Sequence, residues 1–267
     1  MKIYLDEKII EENQVSLFEP WLFYGYGLFE TIKIFQGKTI FLNEHYQRMK
    51  KSSIVLDLKI NIALSKIIEI TDELIKINKI QEGSLKFLLL KGLKYDHLLI
   101  NTNFKKYDPE KYNQGLSIKI SERRKNEKSL IINHKSTNYL ENILEKEAAL
   151  KEGYTDALFL NSKECLTETT VANIFFINKK EIYTPSVDAG ILPGVVREKV
   201  FYIARQKNIV LKEGYFSKEK IMSSEAVFIT NSLMGIMPIK LIDNQKFNIN
   251  NGIMSEISKF YNYLMEG

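Results

Sequence analysis

The sequence predicts an α+β protein in two parts: a small N-terminal α/β domain over residues 1–115 and a larger, β-rich C-terminal domain with helices over residues 116–267. Three observations carry that prediction. Short apolar runs bounded by Gly, Asn, Asp and Pro read as strands. Longer stretches with apolar residues three and four apart read as helices and stand between the strands. A polar stretch without periodicity, Asn101–Gly115, reads as a loop and divides the chain before the strand Leu116–Ser121.

The chain has 267 residues, enough for one large or two modest cores. Its 38 basic and 33 acidic residues leave a net charge of +5, spread rather than blocked. The densest basic run, Arg123-Arg124-Lys125, is short and has no interleaved aromatics, which argues against nucleic acid as a partner. Cys165 is the only cysteine, so no internal disulfide forms. The early charges of M-K-I-Y-L-D-E-K do not make a signal peptide, and no apolar run reaches the roughly 18 residues of a membrane span. These features predict a cytoplasmic protein that does not bind a membrane, and no ligand cluster suggests a metal.

In order, Lys2–Leu5 and Ile9 predict a hairpin around Asp6-Glu7. Gly25 and Gly27 read as a turn or close backbone approach, since a lone G-x-G before a strand is a poor phosphate loop. Thr31, Lys33 and Phe35 alternate with Glu30, Ile32 and Ile34, and Gln36-Gly37-Lys38 turns the chain into Thr39–Leu42. Asn43 is read as the N-cap of a helix to Leu56, followed by an amphipathic helix over Asn61–Asn78. Leu85–Gly92 is nearly continuous in apolar residues, hence a buried strand.

The stretch from His134 to Phe176 organises the second half. Leu140, Ile143, Leu144 and Ala148 fall at helical spacing and Gly153 stops the helix. Asp156–Asn161, Cys165–Thr169 and Asn173–Asn178 read as strands. Lys135 is placed at the edge of the helix and Glu168 at the end of a strand, so an amine and a carboxylate are each fixed. Beyond Glu181–Thr184, Pro193-Gly194 marks a tight turn into a helix over Val195–Gln206. Such a helix start offers free N–H groups and the positive end of the dipole to an anion. Asn208–Gly214 and Ala226–Asn231 read as strands, and Gly252–Met265 as the closing helix.

Word by word, K-S-T-N-Y-L-E-N from Lys135 and E-x-x-x-x-N-I-F from Glu168 resemble the fold-type-IV pyridoxal-phosphate enzymes, D-amino-acid aminotransferase-like in fold. That family comprises the class IV aminotransferases and their relative 4-amino-4-deoxychorismate lyase. Three further segments follow the family order: G-Y-G-L-F-E-T, H-Y-Q-R-M, and G-V-V-R with T-N-S-L-M-G after it. The resemblance implies that Lys135 carries pyridoxal 5'-phosphate as a Schiff base and moves protons, and that Glu168 bonds the ring nitrogen. It further assigns Arg48, the amides of Val195 and Val196, the Ser232 hydroxyl and the Leu233 amide to the phosphate, and Tyr139 to the phenolic oxygen. G-V-V-R departs from the family's G-I-T-R, so Val196 offers no hydroxyl.

Tyr26 and Thr31 become substrate-pocket residues on the same ground. Some D-amino-acid transaminases hold the substrate carboxylate with R-x-H; this chain has Tyr95 where the arginine falls, keeping only His97. Lys91, Lys94 and His97 remain candidates for that carboxylate. The resemblance implies a homodimer acting on a small amino substrate. The missing R-x-H favours the lyase, which releases 4-aminobenzoate and pyruvate in folate synthesis. The alternatives are a branched-chain or D-amino-acid transaminase and a non-catalytic binding protein of this fold.

Overall fold

The computed structural model describes residues 1–11, 20–105 and 107–266. The chain separates into two compact units. The first is Met1–Lys106 together with His134–Tyr139; the second is Tyr107–Asn133 with Leu140–Gly267. The sequence reading changes domain at residue 115. The compact units change at Lys106, and six residues around Lys135 return to the first unit.

In the first unit β1 (Lys2–Leu5) and β2 (Lys8–Glu11) form the expected hairpin, followed by the short helix α1 (Pro20–Tyr24). Then come β3 (Gly27–Phe35), β4 (Lys38–Thr39), α2 (Leu42–Val55), α3 (Leu64–Ile77), β5 (Gly83–Leu90) and β6 (His97–Phe104). Six strands make one sheet in the order β2-β1-β6-β5-β3-β4. The period-2 pattern of β3 decides its two faces. Leu28, Glu30, Ile32 and Ile34 are buried, and the three apolar ones share a core with Leu74, Ile67 and Met49 of the helices. Phe29, Thr31 and Lys33 lie on the opposite, half-exposed face.

The second unit begins with α4 (Glu110–Gln114) and β7 (Leu116–Lys125) and continues through α5 (Leu140–Lys151), β8 (Asp156–Asn161), β9 (Leu166–Thr169), β10 (Asn173–Asn178) and β11 (Glu181–Pro185). After them stand α6 (Val195–Gln206), β12 (Leu211–Gly214), α7 (Lys218–Met222), β13 (Ala226–Asn231), β14 (Gly235–Ile242), β15 (Gln245–Lys246) and α8 (Gly252–Glu266). The strand order is β12-β11-β10-β13-β14-β7-β8-β9. Because β9 also pairs β10, six of these strands close into a barrel, and the closing register pair is Asn173 opposite Glu168. All six residues of β8 are buried, as a nearly continuous apolar run implies for a strand covered on both faces.

Three expectations are corrected. Asn101–Gly115 is not a loop throughout: its first part is the end of β6 and its last part contains α4, while Lys106 within it lies outside the described residues. Polar Asn-Thr-Asn hid the strand. Thr102 is nonetheless buried there, its hydroxyl accepting from Asn78 Nδ2 at 2.9 Å. Helix α2 is capped not by Asn43 but at Phe41, in the left-handed region and without a side-chain cap bond. In α5 the apolar stripe read from the sequence faces outward. Leu140, Ile143 and Leu144 are exposed, whereas Asn142, Glu145 and Ala149 are buried. Among the described residues no helix is long and apolar enough to cross a membrane, and no cluster of His, Cys, Asp and Glu could hold a metal ion.

Candidate active site

In the first unit the geometry starts from a backbone pairing. Residues 135–137 run antiparallel to the beginning of β3: Phe29 N–H donates to the Lys135 carbonyl at 2.8 Å and Thr137 N–H to that of Gly27 at 2.9 Å. Lys135 and Tyr139 therefore both precede α5, and Lys135 lies in an extended segment five residues before the helix rather than at its edge. Ser, Thr and Asn prefer local hydrogen bonds over helix interiors, and here Thr137 Oγ1 (2.5 Å) and Asn138 Nδ2 (2.8 Å) both donate to the Gly25 carbonyl. Gly25 holds a left-handed φ of 59° with Asn138 packed against its Cα, the close approach expected of this glycine.

That pairing sets Lys135 Nζ over the Phe29 ring, 4.4 Å from its centroid, with the Tyr139 ring at 5.4 Å. Phe29 and Tyr139 meet edge to face at 5.4 Å, so the aromatic pair fixes the direction of the amine.

Arg48 is held from below by Glu30, which sequence reasoning left out of the site. Its Nε donates to one Glu30 oxygen at 2.8 Å and Nη2 to the other at 2.5 Å. His45 Nδ1 meets the same carboxylate at 2.7 Å. Burial alone would raise the Glu30 pKa, but the charge of Arg48 and the His45 bond outweigh it and hold the carboxyl at about 2. His45 is pushed below its ordinary value. Burial dominates, and Glu30, already neutralised by Arg48, does not compensate. The signal in the sequence was the inward parity of Glu30 on a strand of apolar inward neighbours. A carboxylate buried to 1% exposure needs a cation.

The predicted substrate residues divide. Thr31 stands on the half-exposed face of β3, directly opposite Lys86 of β5. Lys86 was also missed; it is exposed and its Nζ lies 5.7 Å from the Phe29 ring centroid. Its signal was being the one charged residue within an apolar strand. Tyr26 gives its hydroxyl to the Leu56 carbonyl at 2.8 Å, and Lys91 Nζ lies over its ring. Lys91 also donates to the Asp57 carbonyl at 2.9 Å, with an Asp96 carboxylate oxygen at 3.6 Å. His97 Nδ1 sits 2.6 Å from Asp6. Lys94 is exposed, as is Tyr95.

In the second unit Glu168 of β9 accepts a hydrogen bond from Asn173 Nδ2 at 2.9 Å. Helix α6 starts at Gly194 with no side chain capping it, and Val195 and Val196 are its first residues. Its opening N–H groups are the kind that bind anions. At the end of β13, Ser232 follows Asn231, whose Oδ1 accepts from the N–H groups of Leu233 (3.0 Å) and Met234 (2.9 Å). The Leu233 amide, which the resemblance assigns to the phosphate, thus donates within this turn. The buried Thr230 hydroxyl has no hydrogen-bond partner. Cys165 is half-buried beside β9, in an isolated bridge with Ser217.

The signature of the amino-transferase class IV family matches residues 27–242. The aminodeoxychorismate lyase of Bacillus subtilis is 27% identical over 262 residues, which cover 94% of this chain and 89% of that protein. A provisionally named branched-chain-amino-acid aminotransferase of Methanocaldococcus jannaschii is 29% identical over 270 residues, covering 97% and 93%. Among solved structures, a provisionally named 4-amino-4-deoxychorismate lyase of Legionella pneumophila superposes with a TM-score of 0.89 at 29% identity, covering 96% of this chain and 98% of that one. The match spans most of the chain, from within G-Y-G-L-F-E-T to beyond T-N-S-L-M-G, so the chain belongs to the class IV aminotransferase family and is a pyridoxal 5'-phosphate-dependent enzyme of fold type IV.

Proposed function

We propose that this enzyme is a 4-amino-4-deoxychorismate lyase, releasing pyruvate and 4-aminobenzoate from its substrate. The observation that carries the reading is the state of His97. Its ring is tied to Asp6 at 2.6 Å, and exposed Tyr95 stands where a carboxylate-trapping arginine would precede it. The residues fit the cofactor. An uncapped helix start, a buried hydroxyl without a partner and a guanidinium are donors suited to a phosphate, and a carboxylate braced by an amide suits a protonated ring nitrogen.

When bound, pyridoxal phosphate supplies an electron sink for charge developing beside the substrate amine. Lys135 Nζ would hold the aldehyde end and is the group that would move the proton at the amine-bearing carbon. Tyr139 orients the phenolic oxygen and packs the amine's aromatic floor. Arg48, kept in place by Glu30, binds phosphate in the first unit. In the second, the amides of Val195 and Val196 and the Ser232 hydroxyl do so, and Leu233 braces their turn. Glu168 keeps a proton on the ring nitrogen.

The substrate bears two carboxylates, one on the ring and one on the enolpyruvyl group. Lys86 is a cation that the sheet face with Phe29 and Thr31 presents to one of them. Lys94 is exposed, whereas Lys91 and His97 are held by acidic neighbours in this chain. A homodimer belongs to the same reading, supported by the apolar residues that α5 leaves exposed. A class IV transaminase is the second reading, favoured by a relative of that name at 29% identity.

Purified holoenzyme given 4-amino-4-deoxychorismate alone separates the two. Sustained release of pyruvate and 4-aminobenzoate without an added keto acid is the expected outcome. Rapid bleaching of the cofactor's visible band by L-leucine, L-glutamate or D-alanine, restored by 2-oxoglutarate, contradicts it.

A further inference from the structure

Asn173 sits where three structural features of the second unit meet. It forms the closing pair of the barrel with Glu168 on one side and pairs with Thr230 of β13 on the other. Residues directly opposed across a sheet share a face, so Glu168, Asn173 and Thr230 project to the same side. Asn173 is 4% exposed. Its Nδ2 donates twice, to Glu168 Oε2 at 2.9 Å and to the Leu192 carbonyl at 2.8 Å. Both neighbours are acceptors only, which assigns the nitrogen to that side of the amide and uses both of its hydrogens. The amide oxygen then lies against the start of α6. A Cβ added at Gly194 would stand 2.0 Å from Asn173 Oδ1, far inside contact distance. One side chain therefore spans from the carboxylate to the turn that opens the anion-binding helix.

We infer that Asn173 is a positioning residue that locks the aim of Glu168 to the placement of the α6 N-terminus. The inference rests on the cofactor role proposed for Glu168. A carboxylate that accepts from a fixed amide keeps one direction, as holding a ring proton requires. The second hydrogen fixes Leu192, two residues before the N-cap glycine, so the carboxylate and the helix start are set by one rigid group. Gly194 is the necessary counterpart, since any larger residue displaces the amide.

The test compares Asn173→Ala, Asn173→Asp, Gly194→Ala and Glu168→Gln with the unaltered enzyme. Each apoprotein is titrated with pyridoxal 5'-phosphate, the visible band of each loaded protein is followed against pH, and melting temperatures are recorded without cofactor. Asn173→Ala should weaken cofactor binding at least tenfold and move the pH midpoint of the visible band by half a unit or more. Asn173→Asp keeps the shape but sets a second carboxylate opposite Glu168, and should lose binding altogether. Gly194→Ala should move the midpoint in the same direction as Asn173→Ala while leaving Asn173 in place, which keeps the test decisive if Asn173→Ala fails to fold.

A lower melting temperature with an unmoved midpoint in both Asn173→Ala and Gly194→Ala would reduce Asn173 to a structural brace and overturn the inference. If Glu168→Gln moves affinity and midpoint and neither of those variants does, the positioning role alone fails. If Glu168→Gln also moves neither, the cofactor role of Glu168 fails with it.

Discussion

Arg48 is one of two predicted phosphate partners whose different chemistry makes a measurable contrast. It is a guanidinium oriented by a buried carboxylate, whereas Ser232 brings a neutral hydroxyl. Arg48→Ala should weaken pyridoxal-phosphate binding by about 1.5–3 kcal/mol, and Ser232→Ala by about 0.5–1.5 kcal/mol. Equilibrium dialysis against the cofactor measures both; equal and negligible losses would place the phosphate elsewhere. The His45–Glu30–Arg48 group also makes a pH prediction. Glu30 is depressed to about 2, so its contribution is complete above the ordinary glutamate value of about 4.3 and is lost as pH falls toward 2. His45, held neutral by burial, contributes fully above about 6.5 and costs stability as pH falls below it, because the unfolded chain then takes up the proton first. Asp156 works in the opposite sense. Burial raises its pKa, so its contribution is complete below the ordinary aspartate value of about 3.9 and is lost as pH rises through the raised value. The melting temperature should fall on acidification from pH 7 to pH 5, and His45→Gln should flatten that limb. An unchanged slope in the variant would mean that His45 is not the group responsible.

Elements were legible where one period dominated. Helix α6 spans the residues predicted for it, because Val196, Val200 and Ile203 repeat on one side and Pro193-Gly194 punctuates its start. Strands β8, β10 and β13 likewise coincide with their apolar runs. What escaped were elements stabilised by polar partners far away in the sequence. Strand β6 runs through Asn-Thr-Asn to its last residue, Phe104, and its buried Thr102 depends on Asn78, which also bonds both backbone groups of Lys2. Asn78→Ala removes all three bonds and should cost about 1–3 kcal/mol, read as a lowered denaturant midpoint. A midpoint within error of the parent would show that solvent replaces these bonds. The extended path of residues 135–137 was hidden for a related reason: its pairing partner, the start of β3, lies more than 100 residues earlier. Motif matching located Lys135, yet nothing local showed Phe29 beneath it.

For the molecule as a whole, the ordered set of motifs carried more than any single one. Lysines are common in this chain, and only the family pattern singled out Lys135 among them. Composition said nothing about which carboxylate would be buried or braced. The parts that Glu30, Lys86 and Asn173 play became clear only when register across the strands was known. The central claim concerns the chemistry of one amine. Holoenzyme reduced with borohydride and digested should carry a pyridoxyl group on Lys135 alone, with the visible absorption band lost in step with labelling. A label on any other lysine, or an enzyme that takes up no pyridoxal phosphate, would contradict it.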